Sequence, residues 1–169
     1  YNPTEWLRMD GNVALSRNRI KNYTAYYDYY DPSWNYLGQI SEFHKSTDIS
    51  FSPKAVGSFV VTFRPFEKED FSLSFINKYV GKMYYDNTSN PDNRLSEYLI
   101  TDMVASYTLD AKKAGKFDFQ FYINNLASIK YSANAWVETY KFSDGTEEVY
   151  KGLFPQAGAN LMGKIRYRF

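Results

Sequence analysis

Cysteine is absent from the 169-residue chain, which removes disulfides, thiolate nucleophiles and thiolate metal ligands from consideration. Histidine occurs once, at His44. No second imidazole can join it at metal-binding spacing, so a solvated loop histidine is expected and no metal centre. No run of about 18 apolar residues exists, which excludes a transmembrane helix. Net charge is +1, and neither sign dominates enough to point to a nucleic-acid partner. Carboxylates do come in close sets, Glu67, Glu69 and Asp70, then Glu147 and Glu148. They fall in turn-like segments without an apolar pocket to shift their titration, so solvated charge is the better reading than acid–base catalysis. Neither catalytic residues nor a cofactor are expected. Position 1 is Tyr, with no signal-peptide pattern after it, so the chain is expected to start after processing or to be a piece of something longer.

What is abundant is aromatic. Tyr, Phe and Trp make up 20% of the residues, with 17 Tyr, 13 Phe and 3 Trp, yet mean hydropathy is −0.55. Abundant aromatics in an alternating, polar context suit a transmembrane β-barrel, with its apolar outer band, polar interior and aromatic girdles. The terminal stretch shows the alternation best. Ala157, Ala159, Leu161, Gly163, Ile165, Tyr167 and Phe169 fall on one face, and Gly158, Asn160, Met162, Lys164, Arg166 and Arg168 on the other. A period of two is a strand, and at about 3.3 Å per residue it runs roughly 45 Å.

Five more segments alternate. Leu7, Met9, Gly11, Val13 and Leu15 oppose Arg8, Asp10 and Asn12, which a dry core would bury at high cost and a wet lumen would not. Strands are also read at 57–64, 71–84, 99–109 and 117–124, the last setting Phe117, Phe119, Phe121 and Ile123 against Asp118, Gln120, Tyr122 and Asn124. Between them, short connections at 65–70 and 110–115 alternate with long ones at about 22–48, 86–97 and 128–154. Outer-membrane barrels have short periplasmic turns and long extracellular loops, which puts the C-terminus on the periplasmic side. Six strands cannot enclose a lumen, since about eight is the smallest common barrel. Either further strands are hidden or the chain belongs to a larger barrel.

The segment 22–45 has no clean period and reads as a long loop. Within it Tyr26, Tyr27, Tyr29, Tyr30, Trp34 and Tyr36 offer stacking faces and hydroxyls beside Asp28 and Asp31. That suits capture of an organic or chelated ligand, and it equally suits loops that pack on one another. Lys164, Arg166 and Arg168 are expected to face the lumen near the periplasmic end.

Several stretches resemble the C-terminal end of TonB-dependent outer-membrane receptors, particularly those of Bacteroidetes-type bacteria. They are Ser16–Tyr23, Phe51-Ser52-Pro53, the run from Tyr79 to Thr88, Ile123-Asn124-Asn125-Leu126, and Phe154–Asn160 with the terminal Arg168-Phe169. The resemblance implies an all-β fold, an antiparallel transmembrane barrel of about 22 strands, with residues 1–169 supplying the last six. It implies import of a nutrient such as an iron-siderophore, haem or cobalamin. The implied partners are the rest of the barrel and its plug, the TonB energy-coupling protein through the missing N-terminal part, the barrel-assembly machinery, and outer-membrane lipid with lipopolysaccharide. Plug and coupling segment are not in this chain.

On this reading Leu7, Val13, Ile165 and Tyr167 touch lipid, and the first and last strands do not pair with each other. Tyr167 and Phe169 resemble the terminal aromatic signal by which such barrels are recognised for insertion. If the first strand continues without a bulge, Arg17, Arg19 and Lys21 emerge at the level of lipopolysaccharide phosphates, which arginine grips bidentately. Two other function classes stay open. One is a structural barrel subunit of an outer-membrane complex without transport activity, and the other is a soluble ligand-binding β-domain.

Overall fold

In the computed structural model, residues 1–66 and 70–169 are described. The chain is all-β. Six strands form one antiparallel meander: β1 (Leu7–Leu15), β4 (Ala55–Phe63), β5 (Phe71–Val80), β8 (Tyr98–Asp110), β9 (Lys116–Asn124) and β12 (Asn160–Arg168), hydrogen-bonded in that order. β1 and β12 stand at opposite edges of the sheet, as expected. Strands of this length match the about 9–11 residues that cross a bilayer.

Register makes the faces continuous. Met9, Val61, Phe75, Met103, Ile123 and Leu161 are successive cross-strand partners along one row. Arg8, Thr62, Ser74, Val104, Tyr122 and Met162 form the adjacent row on the opposite face. The apolar face is open: Val13 and Ile165 are each 71% exposed. A water-soluble domain would bury such a surface, because single exposed apolar residues are ordinary and contiguous apolar faces are not. Aromatic contacts gather at the short-turn end, where Trp6 stacks on Phe63 at 6.2 Å and Phe117 meets Tyr167 at 4.9 Å.

The short connection after β8 is closed by a 3-10 turn, Lys112–Ala114. The short connection expected at 65–70 includes Glu67 and Glu69, which lie outside the described residues. The three long connections leave the sheet at one common end, and here the sequence reading needs correction. Segment 22–45 is not an irregular loop but most of a hairpin, β2 (Arg19–Tyr30) and β3 (Tyr36–Asp48). Segment 128–154 likewise holds β10 (Ser132–Phe142) and most of β11 (Glu147–Pro155). The strand expected over 71–84 ends at Val80, so the middle connection begins at Gly81 and holds the two-residue strands β6 (Met83–Tyr84) and β7 (Arg94–Leu95). Their alternation was illegible because both faces of these strands carry aromatic and polar groups.

The two long hairpins join. β10 pairs in parallel with β2, Tyr140 to Phe142 against Asp28 to Tyr30, giving a four-stranded sheet ordered β11-β10-β2-β3. The buried apolar cluster lies outside the six-stranded sheet, where the 83–95 segment meets the first half of β10: Met83, Tyr85, Leu95 and Ala135, with Val137 packed against them. The parallel junction joins the two hairpins into a small folded unit at the long-loop end.

Candidate functional site

The turn between β2 and β3 is built by one carboxylate. Asp31 Oδ1 accepts the backbone N–H groups of Ser33 and Asn35, each at 2.9 Å, and Oδ2 accepts Asn35 Nδ2 at 2.8 Å. These donors, the Asn35 side chain first, hold the Asp31 carboxyl below the usual carboxylate range. Asp31 therefore staples the turn. It forces Trp34 into a left-handed backbone, φ 65°, and delivers the indole onto the neighbouring hairpin.

Three of the residues singled out in the sequence meet there. Tyr30 lies 5.4 Å from Trp34 and 5.4 Å from Tyr36 between ring centroids, and 5.8 Å from Tyr140 of β10. Trp34 stands edge-on to the buried Phe142 at 4.9 Å. Aromatic pairs at these separations and angles add about 0.5–1.5 kcal/mol each beyond their burial. They consolidate the short parallel junction, which has few backbone bonds of its own. Tyr26 is 68% exposed, and Tyr29 pairs across the hairpin with Gly38.

Below the junction β2 and β10 are not paired, and a cavity of about 640 Å³ opens between them, reaching the 86–93 segment. Tyr26, Tyr27 and Asp28 are among the residues lining it. Gln39 Nε2 donates to Asp28 Oδ1 at 2.9 Å. Lys141 Nζ lies 5.1 Å from the centre of the Tyr27 ring and pairs with Glu147. The Tyr27 hydroxyl is pushed up to about 12, chiefly by burial, with the Glu42 and Asp86 carboxylates adding to it.

The sequence reading missed the polar half of this cavity. His44, expected as a solvated loop residue, sits on β3 with only 19% of its side chain exposed. Its ring stacks on Tyr23 at 6.0 Å, and its Nε2 is 3.6 Å from Glu42 Oε1. Among the described residues, His44 Nε2 and Asn93 Oδ1 are buried without a hydrogen-bond partner, and both residues line the cavity. The spacing of Glu42 and His44 by two was the available signal, readable once 36–48 is seen as a strand. Asp86 shapes the far wall: its Oδ1 accepts Thr88 N at 2.9 Å and Thr88 Oγ1 at 2.7 Å, and its Oδ2 accepts Asn93 Nδ2. No cluster of three or more potential metal ligands occurs among the described residues. The lining is mostly polar, with Tyr23, Tyr26, Tyr27 and Tyr140 as its aromatic faces, and its size fits non-covalent capture of a small polar ligand.

The basic cluster is divided. β1 ends at Leu15, so the uninterrupted strand expected through Lys21 does not form; Asn18 Nδ2 instead donates to Ser52 Oγ at 2.6 Å and anchors the crossing to the next sheet. Arg19 Nη2 donates to Ser46 O at 3.1 Å, and its Nε lies 3.8 Å from Asp48 Oδ1. Arg17 and Lys21 are exposed. At the other end of the sheet Arg168 Nη2 bonds Asp118 Oδ1 at 2.6 Å, and Phe169 is fully exposed.

No family model matches this sequence, and no curated protein is similar to it. Solved structures do match. The crystal structure of the ferric-catecholate import receptor Fiu from E. coli K12, in its closed form, covers 95% of this chain with a TM-score of 0.51 and 14% sequence identity. The match takes in 25% of that receptor, so the chain spans about a quarter of its length. At this identity the likeness is one of fold.

Proposed function

We propose that the chain is the C-terminal part of an outer-membrane receptor barrel that works in energised import of a small nutrient. The carrying observation is the six-stranded meander whose apolar face is exposed along continuous cross-strand rows while the opposite face carries most of the polar and charged side chains. In lipid the first face is satisfied, and the second faces a wet lumen. The fold likeness to an import receptor supports the same reading. The long hairpins then stand outside the cell and the short turns in the periplasm. The remaining strands, a plug and an inner-membrane energy-coupling partner complete the machine, since the sheet's edges must be paired within a bilayer.

The hairpin unit is the ligand-capturing end. Tyr26, Tyr27 and Asp28 serve the cavity, Tyr29 lies beside it on the same strand, and Tyr30, Trp34 and Tyr36 set the relative position of the two hairpins. Arg17 and Lys21 are offered to lipopolysaccharide phosphates, with Arg19 shared between that role and Asp48; a triple Gln replacement lowers lipopolysaccharide co-purification if so.

Cysteine scanning in intact outer membranes tests the reading. Cysteines at Val13, Tyr107 and Ile165 are expected to resist a membrane-impermeant maleimide, and cysteines at Ser74, Gln120 and Lys164 to react once the lumen is opened. Equal labelling on both faces would return the chain to the class of soluble β-domains.

A further inference from the structure

A second, smaller concavity opens on the sheet face away from His44 and Glu42 and shares Glu138 and Tyr140 with the larger cavity. It encloses about 300 Å³ and is lined by Trp34, Trp136, Glu138, Tyr140 and Tyr150. Strand alternation puts Trp136, Glu138 and Tyr140 on one side of β10, and the register sets Tyr150 opposite Glu138 and Gly152 opposite Trp136. Tyr140 stands edge-on to Trp34 at 5.6 Å and to Tyr150 at 5.9 Å. Four aromatic rings therefore surround one carboxylate.

The rings are fixed in place. A Cβ on Gly152 would come within 2.0 Å of Trp136 Nε1, so the indole lies directly on that glycine. Trp34 is held by the Asp31 turn in a backbone conformation that bulky residues rarely adopt, a constraint of the kind found at ligand clamps. The Tyr150 hydroxyl donates to Glu148 Oε2 at 2.8 Å, and the Glu138 carboxylate pushes up the titration of the neighbouring Tyr140 hydroxyl. Trp34, Trp136 and Tyr150 nevertheless remain 45–48% exposed.

Charge decides what fits. Glu138 is the charged residue in the lining, and Glu148 and Asp28 flank Tyr140 in register on the same face. The lysines of these strands belong to the other face: Lys141 pairs with Glu147, and Lys151 Nζ donates to Asp92 O at 3.0 Å. Aromatic faces carry negative potential and attract cations, more so beside a carboxylate. An anion would meet only repulsion here, and a neutral sugar would gain stacking without the electrostatic part.

We infer that this pocket binds a small organic cation through its ammonium group, with Trp34, Trp136, Tyr140 and Tyr150 as the cage and Glu138 as the counter-charge. The site is formed by the two hairpins alone and goes beyond the import reading.

The test uses the natural protein that carries this chain, in a polyoxyethylene detergent at constant ionic strength. Calorimetric titration compares choline chloride with its uncharged carbon isostere, dimethylbutanol. Saturable choline binding is expected, with the isostere at least about tenfold weaker. Glu138→Gln is expected to weaken choline about tenfold, and Gly152→Ala, which displaces Trp136, to do the same. Glu42→Gln, in the larger cavity, leaves choline binding unchanged. Absence of saturable choline binding overturns the inference. So does equal binding of the isostere, which would make this an apolar crevice, or saturable binding of maltose in place of choline, which would make it a sugar platform. Should Glu138→Gln fail to fold, the choline–isostere comparison on the unmodified protein still decides.

Discussion

The backbone N–H of Asn125 donates to Oδ1 of Asp102 across 2.8 Å, while Lys78 Nζ reaches the other oxygen at 3.0 Å. Asn125 is buried, with φ 49°. Its amide donates to Ile129 O at 2.9 Å and to Ala157 O at 3.1 Å, and its Oδ1 accepts Ile129 N at 2.9 Å. One carboxylate and one amide thus end β9, start the third long connection and receive its return. Asp102→Ala leaves the Asn125 N–H without its acceptor and is expected to cost about 2–3 kcal/mol. Urea unfolding of the folded barrel measures it; a loss below about 0.5 kcal/mol would contradict the assigned role.

The six sheet strands were legible because each buries nothing on one face and sees water on the other, so their alternation is undiluted. Phe117 to Asn124 is the clearest instance. The hairpins were not legible, because Tyr23 and Tyr27 face a polar cavity while Tyr30 and Trp34 face an aromatic cluster. With aromatics on both sides, periodicity in two classes of residue vanishes. Tyr140 and Tyr150 escaped notice for a different reason. Tyr140 meets Tyr30 and Trp34, more than 100 residues away in sequence, through a parallel pairing of three residues per strand that no local pattern announces, and Tyr150 joins them through Tyr140.

Two turn glycines with nearly the same φ should respond differently to substitution. Gly115 has φ 87°, and a Cβ there would lie 2.5 Å from Arg168 O and 2.8 Å from Tyr167 Cε2. Gly145 has φ 85° and open space around it. Gly145→Ala is expected to cost about 1 kcal/mol, the left-handed penalty alone. Gly115→Ala adds displacement of the terminal strand and should cost about 2–4 kcal/mol. Equal unfolding midpoints for the two variants would show that β12 yields without cost.

Tyr27 and Tyr140 are both pushed up to about 12 from the ordinary value of 10.0, for different reasons. For Tyr140 the first cause is the hydrogen bond to Glu138; for Tyr27 it is burial. A raised tyrosine binds its proton more tightly when folded. Its contribution to stability is therefore fully present below about pH 10 and lost as pH rises from 10 towards 12. Phenolate absorbance is expected to place Tyr27 and Tyr140 among the late-titrating groups. Glu138→Gln should bring Tyr140 back towards 10 and leave Tyr27 high. A Glu138→Gln protein in which both remain late would separate Tyr140 from its assigned partner.

The terminal aromatics bear on assembly. Tyr167 packs on Phe117 at 4.9 Å, and the Phe169 ring lies 6.2 Å from that of Tyr167 and is otherwise exposed among the described residues. So little packing means that removing Phe169 takes little from the folded sheet, below about 1 kcal/mol by area. The outer edge of β12 is another matter, since an open edge in hydrocarbon leaves backbone groups without partners. A strand that must be met by another strand gains from being recognised before the sheet closes, and an exposed aromatic pair at its end is a handle for such recognition. Deleting Phe169, or making Phe169→Asp, is expected to lower the amount of inserted protein several-fold. The fraction that does insert should keep its urea midpoint and its ligand affinity, which separates an assembly defect from an unstable barrel. Normal surface levels in both variants would remove the assembly role, and a fallen midpoint would reassign Phe169 to packing.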